Sequence, residues 1–458
     1  MPTPVTDMLI AHVLATSYDS IPPQAIEAQK RSLADLLSVM MAATSMDEPA
    51  RKAAAFAAES PGRCTLLAAD AKAGPRDAAL ANGALAHALD YEDSHETATV
   101  HPNSQSTPAL LALAEHAGGI SGKELLAALA IASDLCCRLD LGPNQDLLKF
   151  GWNMPAVHGG VAAALACGKL LGLDAGQLRD ALSMALCQVV CSGESARSKG
   201  SCMRTLRDGF AAQAAVQSAL LARRGIPARF DEPLEGKLGY YHGFAHDDWT
   251  PARVTDGLGE RFEGTFISFK PWPACRATHT TIEGLLRLLE EEGLLPQDIE
   301  SIEVTLQEIG RMTIEPRDAK YRPQSPSIAK FSLPFVAGTA LVYGTVDLRS
   351  FSEERLHDPA VLALADKVSV RINERWTKAQ NKFTDLTVRT SKGDFSLHLE
   401  HPLGCIENPM SPQQLRAKFM DCARRSVKRY PDARLIQILD AIENLEDCAD
   451  VREFTALL

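Results

Sequence analysis

Apolar positions recur with helical spacing through the first half of the sequence. From residue 5 to about 225 the chain is rich in Ala and Leu, and residues typical of helix starts precede the apolar runs. The segments "SGKE" (121–124) and "DAGQ" (174–177) have the capping-box pattern, in which the first and fourth residues satisfy each other's backbone N–H groups. The small-residue run at 158–172 favours a helix packed closely on its neighbours. We therefore expect a helical bundle in this half.

The hydrophobic pattern changes near residue 265. The segments "SIEVTLQEIG" and "DKVSVRIN" alternate apolar and polar positions, and "DLTVRTSKGDFSLHLEH" is typical of two strands joined by a Lys-Gly turn. A helical pattern then returns, with Ser411 as the N-cap, Pro412 in the first turn and Gln414 at the third position.

These patterns predict a mainly α fold with a large discontinuous helical domain and a smaller α+β lid domain. We place the first part of the helical domain at 1–265, the lid at 266–402 and the C-terminal part of the helical domain at 403–458. A cleft between a helical domain and an inserted lid is a common place for a ligand.

Composition narrows the class of protein. The 458 residues are 46% hydrophobic, enough for a large core, and the net charge of -11 gives no broad basic field for nucleic acid or anionic lipid. The eleven cysteines are scattered without a CxxC pair, as in a reduced compartment. The N-terminus lacks the pattern of a secretion signal, and no later run is apolar enough to span a membrane. We expect a cytoplasmic globular protein.

Candidate chemistry is concentrated in four polar stretches where helices end. The first holds four acidic residues and two histidines close together, so a metal site, a proton relay and a solvated loop are all possible interpretations. Neither a phosphate-binding loop nor a serine nucleophile elbow is present in the chain. The four stretches are "ALDYEDSHETATVHPNSQ" (88–105), "GWNMPAVHGG" (151–160), "SARSKGSCMRTLRDG" (195–209) and "ISFKPWPACRATHTT" (267–281).

Taken together, these stretches resemble the MmgE/PrpD family. The likeness extends through "NGALAHALDYED", "GKLLGLDAGQLRDALSMA", "DGFAAQAAVQSALLARRGI", "FKPWPACRATH", "AKFSLPFVAGTALVYG" and "ENPMSPQQLRAKF". The resemblance implies a helical domain with a smaller α+β domain, a homodimer, and cofactor-free chemistry on a small polycarboxylate. It implies neither a nucleic-acid nor a membrane partner.

The resemblance also implies a catalytic group in the first stretch. Asp90 and Ser94 match an acidic and a hydroxyl position of the family, and His101 matches the histidine before proline and is our acid/base candidate. Alternatives are that His101 is a loop histidine bonded to the backbone, that Asp90 is only a cap, and that Asp90, His95 and His101 bind a metal.

Two helical stretches depart from the family pattern. Asn153 stands where the family usually has a histidine, and an amide cannot titrate. His158 lies five residues further along and would point elsewhere on a helix. Arg204 and Arg207 replace a lysine and a histidine, which favours bidentate carboxylate binding. Lys199 is a further candidate in that loop.

The predicted lid contributes the remaining substrate-binding candidates. Lys270 matches the lysine of the "FKxxP" motif and is the expected carboxylate ligand. Phe335 stands where decarboxylase-like members carry tyrosine, which removes a hydroxyl donor. The other candidates in this part of the chain are Cys275, His279 and Lys330, of which the first two have simple structural alternatives.

We therefore predict a cofactor-independent lyase, of dehydratase or decarboxylase type, that acts on a small di- or tricarboxylic acid by proton transfer next to a carboxylate. An epimerase or isomerase of a dicarboxylic acid derivative is one alternative. A catalytically silent dimeric scaffold of the same fold is another.

Overall fold

A computed structural model describes residues 3–95, 97–196, 198 and 201–458. Their backbone divides into two compact units, one formed by residues 1–267 and 412–458 and the other by residues 268–411. The larger unit is therefore discontinuous in sequence, and the fold is mainly helical with small sheets, as the hydrophobic pattern predicts. None of the helices in these described residues is both long and apolar enough to cross a membrane.

Among the described residues, the first segment of the helical unit contains eleven helices and four short strands, the last of which ends at residue 268, where the smaller unit begins. The helices are α1 (Val5–Ala15), α2 (Pro23–Met46), α3 (Glu48–Ala58), α4 (Pro75–His87), α5 (Pro102–Ala117), α6 (Gly122–Leu141), α7 (Met154–Leu170), α8 (Ala175–Leu186), α9 (Met203–Arg223), α10 (Tyr240–Ala245) and α11 (Pro251–Thr255). The strands are β1 (Pro61–Thr65), β2 (Lys72–Ala73), β3 (Ser94–His95) and β4 (Ile267–Ser268).

Two predicted capping boxes start helices of this unit. At α6, Ser121 Oγ accepts from the Glu124 N–H at 3.3 Å, and Glu124 Oε2 accepts from the Ser121 N–H at 2.7 Å. The same exchange joins Asp174 and Gln177 at α8. Each exchange satisfies N–H groups that have no partner inside the helix, so both helix starts are confirmed.

Helices α4, α5, α7 and α9 pack directly on one another in the interior. The contact between α4 and α9 is close because both helices carry a glycine there. A Cβ on Gly209 would lie 2.3 Å from the carbonyl oxygen of Leu80, and one on Gly83 would lie 2.7 Å from the Gly209 Cα. Only glycine permits this backbone approach, which sets the end of α4 against the first turns of α9.

The smaller unit joins a four-stranded sheet to helices. In chain order it contains α12 (His279–Glu291), β5 (Ile299–Leu306), α13 (Arg317–Tyr321), α14 (Pro326–Lys330), α15 (Leu333–Tyr343), α16 (Glu353–Leu356), α17 (Pro359–Ala365), β6 (Val368–Ile372), β7 (Thr384–Thr390) and β8 (Gly393–Leu399). The strand order is β6-β5-β7-β8, with β5 and β6 parallel and the other pairs antiparallel. Leucines of α12 and α15 pack against the apolar face of this sheet.

The chain then returns to the helical unit with α18 (Pro412–Ala423), α19 (Asp432–Glu443) and α20 (Val451–Thr455). Helix α18 packs against α2. The contact includes a buried ion pair in which Lys418 Nζ lies 2.6 Å from Asp35 Oδ1.

Candidate active site

The ends of four packed helices bring together most of the candidates in the helical unit. His87 is the last residue of α4, His101 is the N-cap of α5, and Asn153 is the N-cap of α7. Arg204 and Arg207 lie in the first two turns of α9. The N-termini of α5, α7 and α9 thus meet at one cluster, and their exposed N–H groups and dipoles favour an anion there.

His101 is oriented through its Nδ1 atom. This atom lies 2.8 Å from the backbone oxygen of Asp93 and 3.0 Å from Glu92 Oε1. Because a carbonyl oxygen only accepts a hydrogen bond, Nδ1 carries the hydrogen, and Nε2 is the nitrogen that takes up or releases a proton. The side chain of His101 is 15% exposed, which leaves it partly accessible.

His87 lies directly beside His101, with their ring centroids 4.7 Å apart. Its Nε2 accepts from Arg207 Nη2 at 2.8 Å, since a guanidinium only donates. Nδ1 of His87 therefore carries the hydrogen and donates to Glu92. Burial, with added repulsion from Arg207 and Arg204, holds the pKa of His87 well below its usual value, so the ring is neutral.

Two buried carboxylates complete this network. Glu92 has no exposed side-chain surface, and its Oε2 has no hydrogen-bond partner among the described residues. Asp208 lies 3.2 Å from Arg207 Nε and 3.8 Å from His87 Nδ1. Neither His87 nor Asp208 was among the sequence candidates. The available signal for His87 was a histidine three residues before Asp90 on an otherwise apolar helix.

Asp90 and Arg204 form a polar contact between α9 and the loop that connects α4 to α5. Asp90 Oδ1 lies 3.1 Å from Arg204 Nη2. Asp90 has a φ of 53°, in the left-handed region that aspartate tolerates better than most residues. This turn after α4 carries the Asp90 carboxylate to α9.

The two departures from the family pattern are in contact with each other. Arg207 Nη1 donates to Asn153 Oδ1 at 2.7 Å, and Asn153 Nδ2 donates to Ser195 Oγ at 3.1 Å. Burial lowers the pKa of the Arg207 guanidinium. A hydrogen-bonded amide and guanidinium thus occupy positions where the family pattern has two histidines.

Other polar residues near the first stretch have different surroundings. Ser94 Oγ is buried and makes no hydrogen bond within the described part of the chain. His95 Nδ1 accepts from the Ala98 N–H at 2.9 Å, and its Nε2 lies 3.5 Å from Glu263. His158 contacts Asp140 at 3.1 Å. Lys199 lies outside the described residues.

Among the described residues, a possible metal-ligand set in this unit is His87, Asp90, Glu92 and His101, with ligand atoms within 4.8 Å of one another. His95 is not part of it. Arg207 already donates to His87, and Arg204 already donates to Asp90. These guanidinium groups supply positive charge where a bound cation would, which disfavours a metal.

A cavity of about 360 Å³ lies beside this network, between α7, α9 and the segment that connects α8 to α9. Among the residues that the structure describes, Arg207 and Glu194 are its charged lining residues, and Val189 and Phe210 supply apolar wall. His101 and Asp90 are not in the wall. The cavity therefore gives access to the Arg207 side of the network.

The candidates of the smaller unit have their own contacts. Lys270 is 1% exposed. Both ring nitrogens of His279 are engaged, Nε2 with the Ala274 carbonyl and Nδ1 with Arg276, as in a structural histidine. The Cys275 N–H donates to the Lys330 carbonyl, Lys330 Nζ lies 5.9 Å from the Phe351 ring centroid, and Phe335 is fully buried in an apolar cluster.

Comparison with known proteins identifies the family. The model of the MmgE/PrpD N-terminal domain matches residues 8–252, and that of the MmgE/PrpD C-terminal domain matches residues 272–444. The chain belongs to the MmgE/PrpD family. Curated members with similar sequences support assignment as a lyase of decarboxylase or dehydratase type.

The alignments with three of these relatives cover most of both chains. Cis-aconitate decarboxylase of Aspergillus terreus is 28% identical over 424 residues, 87% of this chain and 84% of the relative. The cis-aconitate decarboxylase-like protein oryM of Aspergillus oryzae is 26% identical over 477 residues, 99% of this chain and 97% of the relative. Cis-aconitate decarboxylase of Homo sapiens is 26% identical over 397 residues, which are 83% of this chain and 79% of the relative.

Proposed function

We propose that this chain is a cofactor-independent lyase of a small di- or tricarboxylic acid and that His101 moves a proton on the carbon next to a carboxylate. The observation that carries the proposal is the orientation of His101, whose Nδ1 is held by Asp93 and Glu92 so that Nε2 is the titrating atom. Arg204, Arg207 and three helix N-termini lie at the same cluster and favour an anionic substrate.

The proposed chemistry needs one proton carrier and several cations. In a decarboxylation the C–C bond to the leaving carboxylate breaks, CO₂ departs, and the electron pair moves into the remaining unsaturated acid before His101 protonates carbon. In a dehydration His101 removes the proton from carbon, the C=C bond forms as the C–O bond breaks, and His101 returns that proton to the leaving hydroxyl, which departs as water. Arg204 and Lys270 stabilise the enolate-type charge in either case.

The remaining candidates have supporting roles in this proposal. Asp90 holds Arg204 in place, and Ser94 supplies a hydroxyl donor. Lys270 is assigned from its "FKPWP" motif and its burial. The smaller unit serves as a lid, and the enzyme is a homodimer. Size-exclusion chromatography with light scattering tests the last point.

Cis-aconitate is the first substrate to test, because the relatives are named for its decarboxylation. Asn153 and Phe335 stand where a histidine and a tyrosine are expected in decarboxylase-like members, so we favour a related polycarboxylate over cis-aconitate itself. A panel of di- and tricarboxylates in deuterated water reports CO₂ release, water loss and hydrogen exchange separately. Exchange with inversion and no product loss would support the epimerase alternative.

His101→Gln should lower turnover of the best acid by about 10²- to 10⁴-fold, because glutamine keeps a polar side chain but cannot exchange a proton. The matched control is His116→Gln at the exposed far end of the same helix, which should keep wild-type turnover. Wild-type turnover by folded His101→Gln would contradict the assignment. A wild-type protein that processes no acid in the panel would favour the silent scaffold.

Chelation should leave turnover unchanged, because Arg207 already donates to His87 and Arg204 already donates to Asp90, two of the four possible ligands. The measurement compares initial rates before and after dialysis against EDTA. Loss of activity that one divalent metal restores would show that His87, Asp90, Glu92 and His101 form a metal site instead.

A further inference from the structure

We infer that Glu92 is the positioning residue of the acid/base: its carboxylate lies 3.0 Å from Nδ1 of His101, whose hydrogen the Asp93 carbonyl accepts, and it stabilises the imidazolium form. The inference rests on the proposed function of His101 and adds a residue that acts only through it. Because the Glu92 side chain is fully buried, it can act on the reaction only through His101 and not by touching the substrate.

The direction of each hydrogen bond supports this role. Arg207 can only donate, so His87 accepts at Nε2 and donates from Nδ1 to Glu92 Oε1. The same Oε1 lies 3.0 Å from Nδ1 of His101. Glu92 Oε1 therefore accepts from His87 and lies at ion-pair distance from His101, whose Nδ1 donates to the Asp93 carbonyl, and Arg207 fixes the orientation of His87 from its far side.

The charges around His101 point the same way. Glu92 and Asp93 lie on its own loop, Asp90 follows α4, and His87 ends α4 as a neutral ring. Helix α9 contributes Arg204, Arg207 and Asp208, α7 contributes the uncharged Asn153, and His158 pairs with Asp140.

Among the described residues of this cluster, ionised Asp90, Glu92 and Asp208 outnumber the two guanidinium groups by one negative charge. Asp93 adds only part of a charge near neutral pH, because burial raises its pKa to about 7. A proton on His101 balances the excess, so the network favours the imidazolium that donates to carbon. Glu92 is the carboxylate in contact with that ring.

The first test uses the full-length wild-type protein, labelled with ¹³C and ¹⁵N in histidine and assigned with His101→Gln. We expect neutral His101 to carry its hydrogen on Nδ1, and we expect Glu92→Gln to lower the midpoint of the His101 titration by about one pH unit or more. Glutamine keeps one accepting oxygen, removes the charge and replaces the second oxygen with an NH₂ donor. Glu115→Gln, at a buried glutamate bonded to Thr65, is the control and should leave His101 unchanged.

The second test is the pH dependence of turnover. Glu92→Gln should reduce kcat at least tenfold, change KM little and move the pH–rate profile with the His101 titration, which a purely structural role would not do. An unchanged titration in folded Glu92→Gln overturns the inference. If that variant does not fold, a wild-type His101 with its hydrogen on Nε2 overturns it equally. A shifted titration in a protein that processes no polycarboxylate would place Glu92 correctly and refute the proposed function.

Discussion

Asp93 makes two contacts behind the proposed acid/base. Its backbone oxygen accepts from His101 Nδ1, and its carboxylate accepts from Asn103 Nδ2 at 2.6 Å. Burial is the main cause that raises its pKa to about 7, and the charges of Asp35 and Glu92 add to it. A carboxyl group whose pKa is raised by burial is thus part of the loop that orients His101.

Asp93→Asn should flatten the pH dependence of stability. Because the folded-state pKa is raised, the folded protein holds this proton more tightly than the unfolded chain does. The contribution of Asp93 is therefore most favourable below about pH 4 and is lost as the pH rises towards about 7. Urea unfolding midpoints from pH 4.5 to 7.5 should change less in Asp93→Asn than in wild type or in the exposed control Asp231→Asn. Equal slopes in all three would contradict the prediction.

Sequence reasoning found the residues of the cluster that carry a motif and missed those defined by packing. Asp90, His101, Arg204 and Arg207 all lie in recognisable polar stretches. His87 follows an apolar run, and its partner Arg207 is 120 positions away. No local sequence pattern relates residues so far apart. The buried network behind His101 therefore forms only when α4 packs against α9, and the sequence alone does not predict it.

At the level of helices, the glycine contact between α4 and α9 holds this network together. Gly209 directly follows Asp208, and Arg207 is one residue earlier. A side chain at Gly209 would meet the backbone of Leu80, which cannot rotate away as a flexible side chain could. The two helices would have to separate.

Gly209→Ala should therefore destabilise the protein by about 1–3 kcal/mol and lower turnover through displacement of Arg207. The matched control is Gly243→Ala in α10, where an added Cβ meets no atom within 4 Å and improves helix propensity. Thermal unfolding and turnover of both variants provide the measurement. A Gly209→Ala protein as stable and active as the control would show that the helices can adjust.

Local sequence patterns predict where helices begin and where strands lie, but they do not predict which strands pair. The capping boxes at α6 and α8 and the Lys392-Gly393 turn between β7 and β8 all occur as expected. The parallel pairing of β5 with β6 was not predicted, because the two strands are joined by a long crossover that contains five helices. Pairing across such a connection depends on tertiary packing.

For the whole molecule, the discontinuous helical unit depends on its C-terminal segment. Lys418 of α18 pairs with Asp35 of α2 and donates to the Tyr91 carbonyl at 2.8 Å. Both side chains of the ion pair are 3% exposed. The last helices therefore stabilise α2 and the loop that carries the candidate site.

Lys418→Met should cost about 3–5 kcal/mol of folding free energy, since it leaves the Asp35 carboxylate buried without its cation. The control is Lys52→Met, which removes a lysine from an exposed pair with Glu48 and should leave stability unchanged. Chemical denaturation of both variants tests the difference. A loss that also appears in the double variant Lys418→Met with Asp35→Leu would show that the unpaired charge is not its cause.

The return of the chain to its first unit has a consequence for synthesis on the ribosome. Residues 412–458 are translated after the whole of the inserted unit, whereas α2 and its Asp35 emerge near the beginning. The side of α2 that packs against α18 and α19 must stay uncovered until then, while the smaller unit, which is continuous in sequence, can already fold. During this interval the nascent chain exposes apolar surface that chaperones recognise, and slower translation of residues 268–411 would prolong that exposure.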